Sequence, residues 1–400
     1  MELYKKRISD LGRIVTGKTP RTSNAENYGG SIPFLTPSDD LSGKFAPQTV
    51  KTITEEGLSE VKNCLLPPKS VCVSCIGSDL GKVVITNVPT VTNQQFNSII
   101  PTKEYDTDFI YYLMTIVGEQ LNFLSKTSTA VPIINKSTFA DFDIEVPSLE
   151  NQRRIANILS SLDDKIEVNR RINDNLEQLA QALFKSWLLD FEPFKDGEFE
   201  ETELGLIPKG WEVVSLSAIA DYINGLAMQK YRPIEGEKGL PVLKIKELGQ
   251  GNTDVSSELC SPSLIGEKYI IDDGDIIFSW SGTLMVKVWC GGKCGLNQHL
   301  FVVEPKDYPH WFAYQWTKHH LDNFIHIAKD KAVTMGHIKR GELDKAKVVV
   351  PDETNMAAMD LLMAPLHSQI ISAKIEARRL ASLRDTLLSR LMSGELKINA

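Results

Sequence analysis

The sequence lacks the features that would place it in or across a membrane. No apolar run reaches the roughly 20 residues that a spanning helix needs, and the N-terminus shows no signal-peptide pattern. These absences predict a cytoplasmic protein. Its six cysteines are then expected to be reduced. Four hundred residues with 42% hydrophobic and 24% charged side chains are enough for two or three ordinary globular domains.

Recognisable catalytic motifs are missing as well. The seven histidines form no His-Glu-x-x-His or His-x-Glu…Cys-x-x-Cys pattern, and no Gly-x-Ser-x-Gly elbow occurs. No strand followed by a glycine-rich loop for S-adenosylmethionine is evident, nor an Asn-Pro-Pro-Tyr or Asp-Pro-Pro-Tyr motif. We therefore expect no enzymatic activity, no metal and no cofactor bound by this chain.

Two motifs resemble a nucleotide-binding site and a metal site, but the residues around them favour a structural role for both. Gly12–Thr19 fits the phosphate-loop pattern G-x-x-x-x-G-K-[ST], but a polar stretch precedes it and Pro20 with further loop-forming residues follows. A nucleotide-dependent enzyme is thus an unfavoured alternative. Cys72 and Cys75 lie in an apolar, strand-like run whose alternation places them on opposite faces, so buried thiols are favoured over a metal site.

Most of the net negative charge lies in one segment. The net charge is −8, and residues 190–203 carry seven acids and one base, so this segment holds −6 of the total. The remaining −2 leaves room for local basic faces elsewhere in the chain.

The chain does contain an uninterrupted helical stretch, residues 151–187, without proline or glycine. Apolar residues recur at steps of four and three, and the same stripe reappears 204 positions later, where Pro365 is expected to break or kink the helix. We predict two long helices packed on each other. Their shared seam comprises Leu159, Leu162, Ile166, Asn169, Asn173, Leu176, Leu183, Leu366, Ile370, Ala373, Ala377, Leu380 and Leu387.

The whole chain is internally duplicated. Ile8–Gly17 matches Leu216–Gly225, Val73–Ile85 matches Phe278–Cys290, and Phe139–Pro147 matches Leu343–Pro351, all with nearly constant offset. The predicted layout is a first domain at 1–148, a long helix at 149–189, an acidic linker at 190–203, a second domain at 204–352, and a second helix and tail at 353–400. Each domain combines short strands with one buried amphipathic helix, near 108–124 and 311–327.

Paired polar loops are the candidate binding sites. Hydroxyls, glycines and lysines recur in both halves, together with Asn-Gln pairs, and amides or cations of this kind bind base edges and phosphates. For any one of these residues taken alone, a role in forming a turn is the favoured explanation over binding. The candidate DNA-binding residues are Lys18, Thr19, Arg21, Ser74, Gly77, Ser78, Lys82, Asn93, Gln94, Gln95, Lys136, Gln229, Lys230, Ser281, Gly282, Thr283, Lys287, Asn297, Gln298, His299, Thr334, His337, Lys339 and Arg340.

At this point the chain resembles the specificity subunit of type I DNA restriction-modification systems. The resemblance covers essentially the whole chain and rests on Ile8–Pro20 (ISDLGRIVTGKTP), Val146–Leu162 (VPSLENQRRIANILSSL), Glu203–Val214 (ELGLIPKGWEVV), Ala332–Lys339 (AVTMGHIK) and Leu383–Leu396 (LRDTLLSRLMSGEL). The first half departs from its counterpart at 129–136, which lacks the Met-Gly-His of the second.

The resemblance implies an α+β fold with two similar mixed α/β target recognition domains, each followed by a long α-helix, and the two helices packed as an antiparallel coiled-coil spacer. It also implies that each domain recognises half of a split double-stranded DNA target. Two methyltransferase subunits, which bring S-adenosylmethionine to adenine, and ATP-driven restriction subunits would be the partners. The rival hypothesis is a two-domain assembly scaffold that recognises no DNA.

Overall fold

The computed structural model describes residues 2–77, 80–125, 133–330 and 336–396. The chain forms two compact units: Met1–Lys165 with Leu380–Ala400, and Ile166–Arg379. The first of these is called unit 1 and the second unit 2.

The elements up to the first long helix alternate short strands with helices. They are β1 (Tyr4–Arg7), α1 (Ile8–Leu11), β2 (Gly12–Thr16), β3 (Tyr28–Leu35), β4 (Thr52–Ile53), α2 (Glu55–Val61), β5 (Leu65–Leu66), β6 (Val71–Ser74), β7 (Val83–Ile85), β8 (Thr90–Thr92), β9 (Phe96–Pro101), α3 (Thr107–Ser125), α4 (Lys136–Ala140), β10 (Asp143–Val146) and α5 (Leu149–Leu188).

The second half of the chain repeats this order after a β-hairpin. Its elements are β11 (Phe199–Thr202), β12 (Gly205–Pro208), β13 (Glu212–Ser215), α6 (Leu216–Ile219), β14 (Ala220–Asn224), β15 (Leu240–Leu243), α7 (Ile245–Gln250), β16 (Leu259–Cys260), β17 (Ile270–Ile271), β18 (Ile276–Ser279), β19 (Met285–Val288), β20 (Cys294–Leu296), β21 (Leu300–Pro305), α8 (His310–His319), α9 (Leu321–Asp330), α10 (Gly341–Lys345), β22 (Lys347–Val350) and α11 (Glu353–Met392).

Sheet topology confirms the duplication. The strand order β2-β9-β6-β7 of unit 1 corresponds to β14-β21-β18-β19 of unit 2, and β4-β3-β8-β5 corresponds to β16-β15-β20-β17. The β1–β10 ladder has its counterpart in β13–β22, and the parallel pair β3–β8 in β15–β20. The two halves are therefore two copies of one mixed α/β domain.

Each central sheet is buried on both faces. In β6, Val71 and Val73 pack with α3 residues in the main core of unit 1, whereas Cys72 faces a smaller core with Leu35 and Leu66. Cys75 lies on the α3 side, so the predicted opposite orientation of Cys72 and Cys75 is confirmed. Burial raises the pKa of Cys72 to about 12 and that of Cys75 to about 11, which keeps both thiols protonated.

The two long helices have 40 residues each, which is about 60 Å of helix. Asp352 caps α11, because its Oδ1 accepts a hydrogen bond from the backbone N–H of Asn355 at 2.9 Å. The predicted break at Pro365 is wrong, since α11 continues through it. Met363 and His367, on either side of this proline, are buried.

Polar contacts join the long helices within each unit. In unit 2, Asn169 Nδ2 donates to Glu376 Oε2 at 2.7 Å, and Lys374 Nζ lies 2.6 Å from Glu177 Oε1. As the residue numbers of these contacts rise along α5, from 169 to 177, those of their partners fall along α11, from 376 to 374, so the helices run antiparallel. In unit 1, Arg384 of α11 binds Asp163 of α5 at 2.7 Å.

The predicted seam residues all lie away from open solvent. Leu159, Asn169, Asn173, Ile370 and Ala373 are buried, and Leu162, Ile166, Leu176, Leu183, Leu366, Ala377, Leu380 and Leu387 are half-buried.

The heptad pattern predicts that the apolar residues beside the seam, namely Ile158, Leu179, Phe184 and Leu188, are exposed, and for Phe184 and Leu188 this prediction is wrong. Both are buried in the main core of unit 2, and the Phe184 ring meets Trp316 of α8 edge-to-face at 5.1 Å between centroids. Heptad spacing alone could not show that a domain helix covers this second face. The helix expected near 311–327 is likewise two helices, which meet at His320.

A buried histidine pair lies in unit 2. His310 Nδ1 and His367 Nε2 are 2.7 Å apart, and burial, with a smaller effect of neighbouring positive charge, lowers the pKa of His367 to about 4. Burial also lowers the pKa of His310. An unfolded histidine titrates near 6.5, so below that pH the unfolded chain binds more protons than the folded one.

We therefore expect the free energy of unfolding to fall as the pH is lowered from about 6.5 towards 4. Urea denaturation of the chain at about pH 7 and pH 5 measures this difference. A His367→Leu variant should show a shallower dependence on pH, with His320, whose pKa burial lowers to about 4, contributing the remainder. An equal pH dependence in the variant and the parent would contradict this assignment.

No helix in the described part of the chain is long and apolar enough to cross a membrane.

Candidate nucleic-acid interface

In each domain three strand ends meet at one edge of the central sheet. Thr16 at the end of β2 pairs with Asn97 near the start of β9, and Ser74 at the end of β6 pairs with Phe96. In unit 2, Asn224 pairs with Phe301 and Ser279 with Leu300. The loops that follow these strand ends therefore cluster, and most of the predicted binding residues lie on them. We call the two clusters loop edge 1 and loop edge 2.

A glycine anchors each loop edge. A Cβ on Gly17 would lie 2.1 Å from the Asn93 carbonyl oxygen, and one on Gly225 would lie 2.3 Å from the Asn297 carbonyl oxygen. Backbone hydrogen bonds hold both glycines there, from Gly17 N to Phe96 O at 3.1 Å and from Gly225 N to Leu300 O at 3.0 Å. This close backbone approach explains why a glycine ends the first motif of both repeats.

The paired asparagines build turns instead of facing solvent. Asn93 and Asn297 are buried, and the Oδ1 atom of Asn93 accepts from Gln95 N at 3.0 Å. Asn297 Oδ1 is 3.4 Å from His299 N in the equivalent turn. Ser74 is fully buried, and its hydroxyl binds the backbone of Lys82. DNA contact by Ser74, Asn93 and Asn297 stays a prediction, and their polar groups make hydrogen bonds within the fold.

Positive charge accompanies loop edge 1. Lys18, Arg21 and Lys136 are exposed, and Thr19 Oγ1 donates to Gln94 Oε1 at 2.7 Å. Burial raises the pKa of the nearby Cys64 thiol, while the charges of Lys18 and Lys136 oppose that rise. Both lysines thus lie within electrostatic range of Cys64.

Loop edge 2 contains aromatic and imidazole rings at positions where loop edge 1 has side chains without rings. Trp280 follows β18 and has the rings of His299 and His337 beside it, at centroid distances of 6.1 and 6.4 Å. The sequence pattern had indicated Trp280 only as the counterpart of Cys75. The sequence signal that could have identified Trp280 as a surface ring was a tryptophan directly after an apolar, strand-like run and before the loop residues Ser-Gly-Thr.

The other predicted residues divide by exposure. Exposed residues are Lys18, Arg21, Lys82, Gln94, Lys136, Gln229, Lys230, Gly282, Thr283, His299, His337, Lys339 and Arg340. Half-buried residues are Thr19, Gly77, Gln95, Lys287 and Gln298, and Ser281 is buried. Ser78 and Thr334 lie outside the described residues.

Lys82 and Lys287 are not structural equivalents, although the sequence repeat pairs them. Lys287 lies opposite Ile277 inside the β18–β19 ladder, and its Nζ donates to the Gly249 carbonyl at 2.7 Å. Lys82 instead neighbours Ser74 at the strand end. Lys287 is therefore held away from loop edge 2, and a two-residue difference in strand register is the reason.

The phosphate-loop interpretation of Gly12–Thr19 is wrong. Gly12–Thr16 is itself strand β2, paired with β9 along its length, and a short 3₁₀ turn at Ala25–Asn27 follows the loop. A phosphate loop needs a strand, then the loop, then a helix whose N-terminus faces the phosphates. In the described residues this order is not met, so the motif is coincidental.

These features define an internally duplicated protein with two equivalent loop edges and a pair of long helices. The family model of the type I restriction modification DNA specificity domain matches it twice, at residues 2–178 and 208–374. The chain therefore belongs to the type I restriction modification DNA specificity family. In this family the chain is the non-catalytic DNA-recognition component with two recognition domains, and catalytic activities lie on other subunits.

Individual relatives agree with this assignment. The type I restriction enzyme MjaIX specificity subunit of Methanocaldococcus jannaschii is 32% identical over 409 residues, which cover 98% of this chain and 93% of the relative. The HindI specificity subunit of Haemophilus influenzae is 37% identical over 185 residues, 44% of this chain and 40% of the relative. The crystal structure of the type I restriction-modification S subunit from M. genitalium shares the fold, with a TM-score of 0.56, 17% identity, and coverage of 98% and 96%.

Proposed function

We propose that each loop edge recognises one half of a split double-stranded DNA target. The observation that carries this proposal is the repetition of one backbone frame with different surface side chains in the two domains. Identical frames would place both sets of side chains in the same way against a groove, and different side chains would select different bases. We take 1–148 and 204–352 as the two recognition domains, with 190–203 as the connection after the first long helix.

The exposed cations supply affinity in this proposal, and the amides and imidazoles supply specificity. Lys18, Arg21 and Lys136 accompany loop edge 1, and Lys230 and Lys339 accompany loop edge 2; cations of this kind bind phosphates irrespective of sequence. Gln94 and Gln95 on one edge, and Gln298 and His299 on the other, offer donors and acceptors to base edges.

The long helices act as the spacer in this proposal. Antiparallel packing with polar contacts such as Asn169–Glu376 fixes one register, and a fixed register gives a fixed number of unspecific base pairs between the half-targets. Leu179, 47% exposed on α5, remains available for a partner subunit, whereas Phe184 and Leu188 are not.

The partners in this proposal are DNA, two methyltransferase subunits and restriction subunits. The methyltransferase subunits would bind S-adenosylmethionine and transfer its methyl group to adenine, and the restriction subunits would use ATP. This chain would bind neither cofactor itself. Since the complex acts on chromosomal DNA, we place it in the cytoplasm, where free cysteines such as Cys64 stay reduced.

Methylation mapping tests the function directly. The chain is co-expressed with its methyltransferase subunit, and the host DNA is sequenced for modified adenines. We expect modified adenines within a split motif of two short half-targets and a constant unspecific spacer. A stable complex that produces no sequence-specific methylation would contradict the proposal and favour the scaffold hypothesis.

A further inference from the structure

Loop edge 2 contains an organised ring cluster that the duplicated fold alone does not require. Trp280 is its centre, stacked on Phe301 at 5.7 Å between centroids with an interplanar angle of 29°. The indole Nε1 donates to Asn224 Oδ1 at 2.9 Å, so a residue at the end of β14 fixes the orientation of the ring. Trp280 is therefore held both by stacking and by a directed hydrogen bond.

The backbone of Trp280 ties three loops together. Its N–H donates to His299 O at 3.4 Å, and its carbonyl accepts from Ile338 N at 3.2 Å. Ser281 and His337 also form a β-bridge. Two exposed imidazoles, those of His299 and His337, therefore lie next to the tryptophan, at 6.1 and 6.4 Å between ring centroids.

Polar contacts orient the first of these imidazoles. His299 Nδ1 lies 3.0 Å from Ser281 Oγ, and His299 Nε2 lies 3.3 Å from Gln298 Nε2. Ser281 is buried, so its hydroxyl supports the ring from beneath. His299 thus presents its imidazole at the surface in a defined orientation, as a base-contacting group needs.

Loop edge 1 has the same backbone contacts and none of these rings. Cys75 N donates to Gln95 O at 2.7 Å, and Ile134 N donates to Cys75 O at 2.8 Å, which are the contacts that Trp280 makes with His299 and Ile338 in unit 2. Ile76 and Ile133 form the equivalent bridge. Cys75 is 1% exposed and belongs to the core, so it cannot act as a platform.

We propose that Trp280 is a positioning residue that holds His299 and His337 for recognition of a purine in the second half-target. When Gln298 turns away from the ring, His299 Nε2 can carry the N–H and donate to purine N7, while Nδ1 accepts from Ser281 Oγ. Purine N7 is the acceptor that both adenine and guanine expose in the major groove. The first half-target is recognised without such a cluster. This inference rests on the proposed function and narrows it to one position of one half-target.

Methylation mapping of variants in the intact complex tests the inference. His299→Gln and His337→Ile introduce the residues of loop edge 1, and Trp280→Ala removes the platform. We expect each to lower discrimination at a purine position of the second half-target by about tenfold. The first half-target and the spacer should be unchanged, and Trp280→Phe, which keeps a ring, should restore part of the discrimination lost in Trp280→Ala.

The outcomes separate this inference from the proposed function. A uniform loss of methylation at all sites, with the motif unchanged in both halves, would mean that the cluster only stabilises the domain and would overturn the inference. His299→Gln and His337→Ile change surface residues, so they decide the matter even if Trp280→Ala fails to fold. The matched control Gln95→His should affect the first half-target alone. If the parent complex gives no split motif, the proposed function itself fails.

Discussion

Inserting one heptad at matched levels of both long helices is expected to lengthen the unspecific spacer by about three base pairs. The insertions belong between Asn173 and Asp174 in α5 and between Lys374 and Ile375 in α11, so that the Asn169–Glu376 and Glu177–Lys374 contacts are both kept. Seven residues add about 10 Å of helix, and one base pair occupies about 3.4 Å. A heptad also keeps each seam on the same face.

Mapping of modified adenines measures the result, with both half-targets expected to remain the same. The control is the heptad inserted into α5 alone, which cannot keep the Asn169–Glu376 and Glu177–Lys374 contacts at the same time and should destabilise the helix pair. An unchanged spacer in a methylation-competent double insertion would show that the helices do not set the spacing.

Replacing Phe184 by alanine is expected to destabilise unit 2 by about 3–5 kcal/mol. The side chain is 4% exposed and packs against Trp316, so its removal leaves a cavity between α5 and α8. Urea denaturation of the chain measures the change in the free energy of unfolding.

Leu179→Ala is the matched control, because Leu179 lies on the same helix and is 47% exposed. Its effect should stay within about 0.5 kcal/mol. Equal stabilities of the two variants would contradict the packing of Phe184 described above. The two variants also bear on the binding of partner subunits. If Phe184→Ala no longer bound a partner subunit, the cause would be unfolding of unit 2, because Phe184 is buried and cannot contact a partner.

Much of the architecture follows from local patterns. The duplication, the short strands such as β6 and β18, and the two long helices are encoded by periodicity within a few residues, and each is confirmed by the structure. The opposite faces of Cys72 and Cys75 follow from the same period of two. The helix through Pro365 is the exception, because packing of its neighbours overrode a local signal.

The binding residues show where local patterns stop being sufficient. Asn93 and Gln94 are adjacent in sequence and equally polar, yet Asn93 is buried in a turn and Gln94 is exposed. Trp280 is oriented by Asn224, 56 positions earlier, and no spacing rule connects the two. Gly12–Thr19 matches a nucleotide motif letter by letter, but the β2–β9 ladder makes its first half a strand.

By itself, then, the sequence determined the repeated domain, the helical pair and the family, because these depend on hydrophobic periodicity and on motifs contiguous in the chain. Only the tertiary structure decided which polar side chains reach the surface, that Phe184 belongs to the core, and that Trp280 gathers two histidines. Burial and long-range hydrogen bonds arise between segments far apart in sequence, and their partners are specified by packing and not by neighbouring residues.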